Sequence, residues 1–280
     1  MTAQQLRAAG PAEAGADAAP ARLVRARDVL ASEWTKLRSL RSNRLTLAIT
    51  AAVTLGLTAV VAETFAAAPG GGGRHPVASD PLASSFLAYA EYTVLPVTVL
   101  SVLVFTSEYG SGLIRTTFTS VPGRRAVLAA KAAVTGAAAL VTGEVLAFAC
   151  FFLTQAIFTG KHGGLSLAHP GALRAVLVAG CTLAACALVG VGVGAIIRHT
   201  AGAIAAAVTV VYLLAAVCLA LPQPWNVRLG RFTLPFAAYA DVAAHPPAGS
   251  FSLGFSLLIL IAWPAAALLV AAIVLTRRDI

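Results

Sequence analysis

The sequence predicts an all-α polytopic membrane protein. Six transmembrane helices follow an amphipathic interfacial helix, and both termini are cytoplasmic. Three observations predict this class. First, 59% of the 280 residues are hydrophobic and 11% are charged. A soluble domain averages about 45–50% apolar and about 25% charged residues, so this chain has too few charges to cover a soluble surface. It is also too hydrophobic to be disordered throughout. Second, the apolar residues fall into six runs long enough to cross ~30 Å of hydrocarbon at ~1.5 Å per residue. They do not alternate as barrel strands would. Third, 15 of the 20 Lys and Arg lie on one side of those runs, and basic flanks mark the cytoplasmic side. The net charge of +9 is therefore a membrane-orienting collar and not a nucleic-acid footprint.

Residues 1–21 are rich in Ala, Pro and Gly and lack the apolar core of a secretory signal. They read as a disordered cytoplasmic tail. Residues 22–280 form one transmembrane domain. Within residues 22–44, Leu23, Ala26, Leu30, Trp34 and Leu37 make one apolar stripe at helical spacing. Arg22, Arg25, Ser32, Lys36 and Ser39 lie mostly off it, and Arg38 follows. A basic amphipathic helix with a Trp at its boundary lies along the inner leaflet, an elbow before the first span; the alternative is a plain basic flank. The spans fall at about residues 45–65, 84–106, 127–158, 172–197, 200–221 and 251–276. Arg198-His199 is the only break between the fourth and fifth, which predicts a tight hairpin.

The loop between the second and third spans runs from Ser107 to Arg125. Leu113, Ile114, Thr117 and Phe118 form one face of a short helix there, and Pro122-Gly123 stops it. Arg124, Arg125 and Lys131 anchor the third span at the headgroups. Such a helix suits docking into a groove on a soluble partner; a topogenic loop is the simpler alternative.

Ionisable groups at membrane depth are costly and mark functional sites. Glu144 lies mid-way along the third span. It either faces the bundle interior, toward substrate or a proton, or is a structural Glu bonded to neighbouring hydroxyls. Glu91, two turns into the second span, either lines an outer cavity or snorkels to the interface. Gly190 and Gly194 have the spacing that lets helices approach closely, between spans four and five or across a dimer. Cys150, Cys181, Cys186 and Cys218 all fall inside spans, which leaves no extracellular disulfide framework. The five His and the Cys lack zinc-site spacing. There is no Gly-x-x-x-x-Gly-Lys-Ser/Thr sequence to cradle phosphate, so the chain itself is expected to bind no cofactor and catalyse no reaction.

Ser32-Glu33-Trp34-Thr35-Lys36-Leu37-Arg38-Ser39, before the first span, resembles the opening of actinobacterial ABC-2 type transporter permeases. Glu108-Tyr109, Gly112-Leu113-Ile114-Arg115-Thr116-Thr117, Pro122, Arg124 and Leu128-Ala129-Ala130-Lys131 resemble the loop between their second and third spans. The resemblance covers nearly all of the chain beyond residue 21. It implies a permease subunit in a bacterial plasma membrane, exporting an amphipathic small molecule, peptide or lipid. Two permeases, identical or related, would pair with two cytoplasmic ATPase subunits that bind ATP-Mg. Residues 22–44, with Trp34, Lys36 and Arg38, would be the connecting elbow. Residues Glu108 to Arg125 would be the coupling helix seated in the ATPase. Glu108 and Arg115 would be its polar contacts there, with Leu113, Ile114 and Phe118 as apolar ones, and Tyr109 and Arg124 beside them. Residues 222–250 depart from the family, which often carries a large outer segment before the last span. Here Phe232 to Phe236 reads as a half-inserted re-entrant piece. Two other readings stay open: a non-transport sensor or assembly subunit, and a secondary transporter using Glu144.

Overall fold

A computed structural model describes residues 18–67, 80–120, 123–160, 164–244 and 249–277. Most of the N-terminal tail, Gly70 to His75, Pro122, His162 and His245 lie outside the described residues. Among those described there is no strand. Five of the described helices are long and apolar enough to cross a membrane, six if a bent pair counts as one span.

The chain opens with α1 (Ala18–Ser39). Leu40 interrupts the helix, and α2 (Arg41–Ala67) follows. The helix expected as an elbow therefore ends five residues earlier than expected, and Arg41 and Arg44 belong to the next helix, a candidate span. The Ser39 hydroxyl donates to the Lys36 carbonyl at 3.1 Å, the kind of local bond that competes with helix continuation. Every fourth residue of α2 (Thr50, Thr54, Thr58, Ala62 and Ala66) is buried, so a stripe of small side chains lets its backbone lie close to the bundle.

The second candidate span is bent. Pro81–Ser84 (α3) and Leu87–Tyr92 (α4) precede Val94–Gly110 (α5), and the axis bends by 40° at Thr93. Pro96 explains the bend. It has no N–H to offer the Tyr92 carbonyl, and its ring crowds that same oxygen. Thr93 is buried at the joint and shares a 2.8 Å hydroxyl–hydroxyl hydrogen bond with Thr54 of α2.

A short helix, α6 (Leu113–Ser120), leads into α7 (Arg124–Thr159). At 36 residues and ~1.5 Å per residue, α7 is about 54 Å long, so it reaches beyond any hydrocarbon layer. Next comes α8 (Ala172–Ile197), with the ends expected from the sequence. It is the axis of the bundle: 72% of its most apolar window is buried, against 22–39% in the other four long helices. Its glycines make this possible. A Cβ on Gly190 would lie 2.8 Å from the Thr98 carbonyl, and one on Gly194 would lie 2.7 Å from that of Val102. The Gly190/Gly194 pair thus packs α8 on α5, the second span, and not on the fifth. Gly192, between them, meets Ala267 of the last helix.

Arg198 ends α8 in a left-handed conformation (φ 62°), and His199 caps the next helix, accepting a hydrogen bond from the Gly202 amide. This is the expected hairpin. The fifth span consists of α9 (Thr200–Val208), a π-helical stretch (Thr209–Leu213) and α10 (Leu214–Ala220). Residues 222–244 then fold as α11 (Trp225–Gly230) and α12 (Leu234–Val242), and α12 packs on α8 and on α13 (Leu253–Arg277). Leu234, Ala237, Asp241 and Val242 are all buried, so α12 is packed into the bundle on its inner face.

Asp241 is 3% exposed and one of its carboxyl oxygens lacks a partner. Burial raises its pKa from 3.8 to about 6, against the lowering effects of a hydrogen bond from Ser256 and the nearby charge of Arg174. The native state thus holds this proton more tightly than the unfolded chain. Stability is expected to fall as pH rises from about 4 to about 6, and Asp241→Asn to flatten that slope. Unfolding temperatures measured across pH 4–7 check this.

Candidate functional site

The basic end of the bundle is built around one cluster of charge. Lys131 sits on α7, one heptad after Arg124, and seven residues return a helix to nearly the same face. Both therefore point into the bundle. Arg124 reaches the Leu275 carbonyl of α13 at 2.9 Å. Lys131 is 1% exposed, where the sequence predicts a headgroup anchor. The correction has a physical reason: two carboxylates compensate the burial. Lys131 Nζ donates to Glu33 Oε2 at 2.7 Å and to Glu108 Oε1 at 2.6 Å, with the Val104 carbonyl at 3.4 Å. Lys36 Nζ donates to Glu33 Oε1 at 2.7 Å and to Glu108 Oε1 at 2.9 Å. Two acids and two bases close a neutral ring that joins α1, the end of α5 and the start of α7. Burial alone would lower the pKa of Lys36, but hydrogen bonds and charge from Glu33 and Glu108 outweigh it and raise the pKa.

Glu33 and Lys131 were missed as site residues. The available signal was a Glu on a basic amphipathic helix and a Lys one heptad into an apolar span, each too costly to bury unpaired. Around the ring, α1 presents Glu33 and the half-buried Leu37 inward. Trp34, 50% exposed, and Leu30 face away from the bundle, as does the exposed Arg38. Of the expected apolar stripe, Leu30 and Trp34 thus turn outward and Leu37 inward, while the Leu23 and Ala26 side chains lie outside the described residues. A cavity of about 490 Å³ lies beside the ring, between α1, α2, α5 and α7.

Beyond the ring the chain turns sharply at Gly112 (φ 75°) into α6. The expected coupling residues divide here. Ile114 is 2% exposed and packs with Phe105, Leu128 and Leu275, while Phe118 packs beside them under Arg124 at 5.8 Å. Glu108 is inside the ring. Tyr109 stacks on Phe105 and lies under Arg198 at 5.3 Å. Leu113, 57% exposed, and Arg115 point outward. Leu113 therefore does not share a face with Ile114 and Phe118, since adjacent helical positions are ~100° apart. The outcome is a short helix fastened by its inner side and free on its outer side.

A second cavity, about 580 Å³, opens near the other end. Its walls come from the bend at α4 and α5, the π-helical stretch and α12, and Glu91 is its one charged lining residue among those described. Tyr212, from the π-helical stretch, reaches the Ala90 carbonyl at 3.4 Å. Single π turns within α-helices are frequent at functional sites. Glu144 lines neither cavity. It is half-buried against α8, where a Cβ on Gly180 would collide with its carboxyl. Tyr89 braces this crossing, within hydrogen-bonding reach of the carbonyls of Ala179 (3.1 Å) and Gly143 (3.3 Å). Comparison with known sequences finds no family model and no curated protein that matches the chain.

Proposed function

We propose that this chain is the membrane subunit of an ATP-driven transporter of the ABC-2 type, exporting an amphipathic solute. The observation that carries the reading is α6. A helix of eight residues is fastened at Ile114 and Phe118 and leaves Leu113 and Arg115 free beside the end of α5. A helix held this way transmits force from a soluble partner to the spans. Its inner contacts reach α7 and α13, and the charge ring links the same region to α1. In this reading the basic end is cytoplasmic, α1 lies along the inner leaflet with Trp34 and Leu30 toward lipid, and ATP closes a pair of ATPase subunits. The coupling helices then move together and the spans tilt between inward-open and outward-open states. Two copies of this chain, or one copy and a related permease, complete the pathway. The cavity at Glu91 fits an amphipathic cargo, with apolar walls and one acidic group.

The proposal predicts a specific cross-link. In a variant with the four cysteines replaced, Leu113→Cys is expected to cross-link to an ATPase from a neighbouring reading frame, and Trp225→Cys, on α11 at the opposite end, is not. Equal cross-linking at both positions, or none at Leu113→Cys in a purified complex, overturns the docking assignment.

A further inference from the structure

The charge ring can be counted bond by bond, and the count leaves one acceptor and one donor over. Lys131 spends its three N–H groups on Glu33, Glu108 and the Val104 carbonyl. Glu33 uses one carboxyl oxygen for each lysine. Glu108 places both lysines on Oε1, and its Oε2 is buried with no hydrogen-bond partner, although the residue is only 7% exposed. Lys36 spends two of its three N–H groups on Glu33 and Glu108, and its side chain is 45% exposed. A buried carboxylate oxygen without a donor is destabilising, so a donor arriving from the cavity is favoured.

Both leftover groups belong to residues that line the 490 Å³ cavity. Ser42 and Asn43 add polar groups to it, and Leu37, Leu40, Leu100 and Leu103 make an apolar wall. The volume lies within the range of small-molecule sites. The cavity sits where α1, with its outward Trp34 and its basic residues, meets the first span. In a membrane protein this is headgroup depth.

We infer that this cavity binds an aminophospholipid: the Glu108 carboxyl turns toward the cavity and its Oε2 accepts from the headgroup ammonium, the phosphate accepts from Lys36, and the acyl chains run over the leucine wall into the bilayer. The charge pattern selects the headgroup. The ring is neutral, so a zwitterion adds no net charge, and its two poles match the two unused groups. A choline headgroup has the same charge but no N–H to donate. A phosphoglycerol headgroup brings no cation to the carboxylate. The bound lipid would fasten α1 to the spans by its headgroup. None of this depends on the transport reading, only on the chain residing in a bilayer.

The test uses the full chain, purified in detergent and stripped of lipid. Synthetic lipids of matched acyl chains are added back and binding is read by native mass spectrometry. Phosphatidylethanolamine and its N,N-dimethyl derivative, which keeps one N–H, are expected to bind about tenfold or more tightly than phosphatidylcholine, the margin of a hydrogen bond to a charged group. Soluble phosphoethanolamine should compete poorly because it lacks the chains. Filling the cavity by Ser42→Phe, or independently by Ser107→Leu, is expected to abolish the preference while the protein stays monodisperse. Equal binding of phosphatidylcholine overturns the inference. So does full competition by phosphoethanolamine, or unchanged selectivity in a folded cavity-filled variant.

Discussion

Lys131→Met is expected to destabilise the protein by about 3–5 kcal/mol, the usual cost of removing one partner from a buried ion pair. Lys131 is the most deeply buried charge of the ring and bonds both acids. Without it, Glu33 and Glu108 share only Lys36, and a net negative charge is left inside the protein. The region must then admit water, bind a proton or release α1. Release of α1 has its own readout, because Trp34 lies on that helix and residues 27–40 would become open to protease. Lys131→Met with Glu108→Gln restores neutrality and is expected to recover most of the loss, since a buried pair removed as a unit is often nearly neutral. Thermal unfolding of the single and double variants in detergent, with the rate of proteolysis of α1, decides it. Equal stability of Lys131→Met and the unaltered protein would mean that the ring holds nothing together.

The second large effect lies on the bundle axis. Gly194→Leu is expected to force α8 away from α5, because even a Cβ at this position would lie 2.7 Å from the Val102 carbonyl. That oxygen is helix backbone and cannot swing aside. Overpacking a core costs about 1–3 kcal/mol for added methylenes, and a collision with backbone belongs at or above the top of that range. Gly56→Leu on α2 is the matched control. It is exposed and a Cβ there meets nothing within 4 Å, and leucine is ~1 kcal/mol better than glycine in a helix. The two variants should shift the unfolding temperature in opposite directions.

The parts that were legible in the sequence are those set by apolar length and helix-ending chemistry. Ala172 to Ile197 stood out because both flanks are polar or turn-forming, and Arg198-His199 leaves no room for anything but a reversal. The bend at Thr93 was equally available, since Pro96 must disturb the carbonyl four residues before it, yet an unbroken apolar run masks it. What was not legible is pairing across distance. Glu33, Glu108 and Lys131 are 23 to 98 positions apart in their hydrogen bonds, and no local pattern joins them. The same holds for the partner of Gly190 and Gly194: the spacing shows that some helix approaches closely but not which one. On α6 the amphipathic periodicity was visible, but which residues face inward depends on the turn at Gly112.

The coupling role of α6 is the central claim, and ATP hydrolysis tests it most directly. The chain is reconstituted in liposomes with the ATPase of a neighbouring reading frame, and hydrolysis is compared between the unaltered protein and the Leu113→Glu/Arg115→Glu double variant. Both side chains point outward, so the bundle should keep its unfolding temperature. The account predicts that the unaltered chain changes the hydrolysis rate of the ATPase and that the double variant returns it to the rate of the ATPase alone. A rate that the unaltered chain leaves untouched, or one equally altered by the double variant, would contradict it.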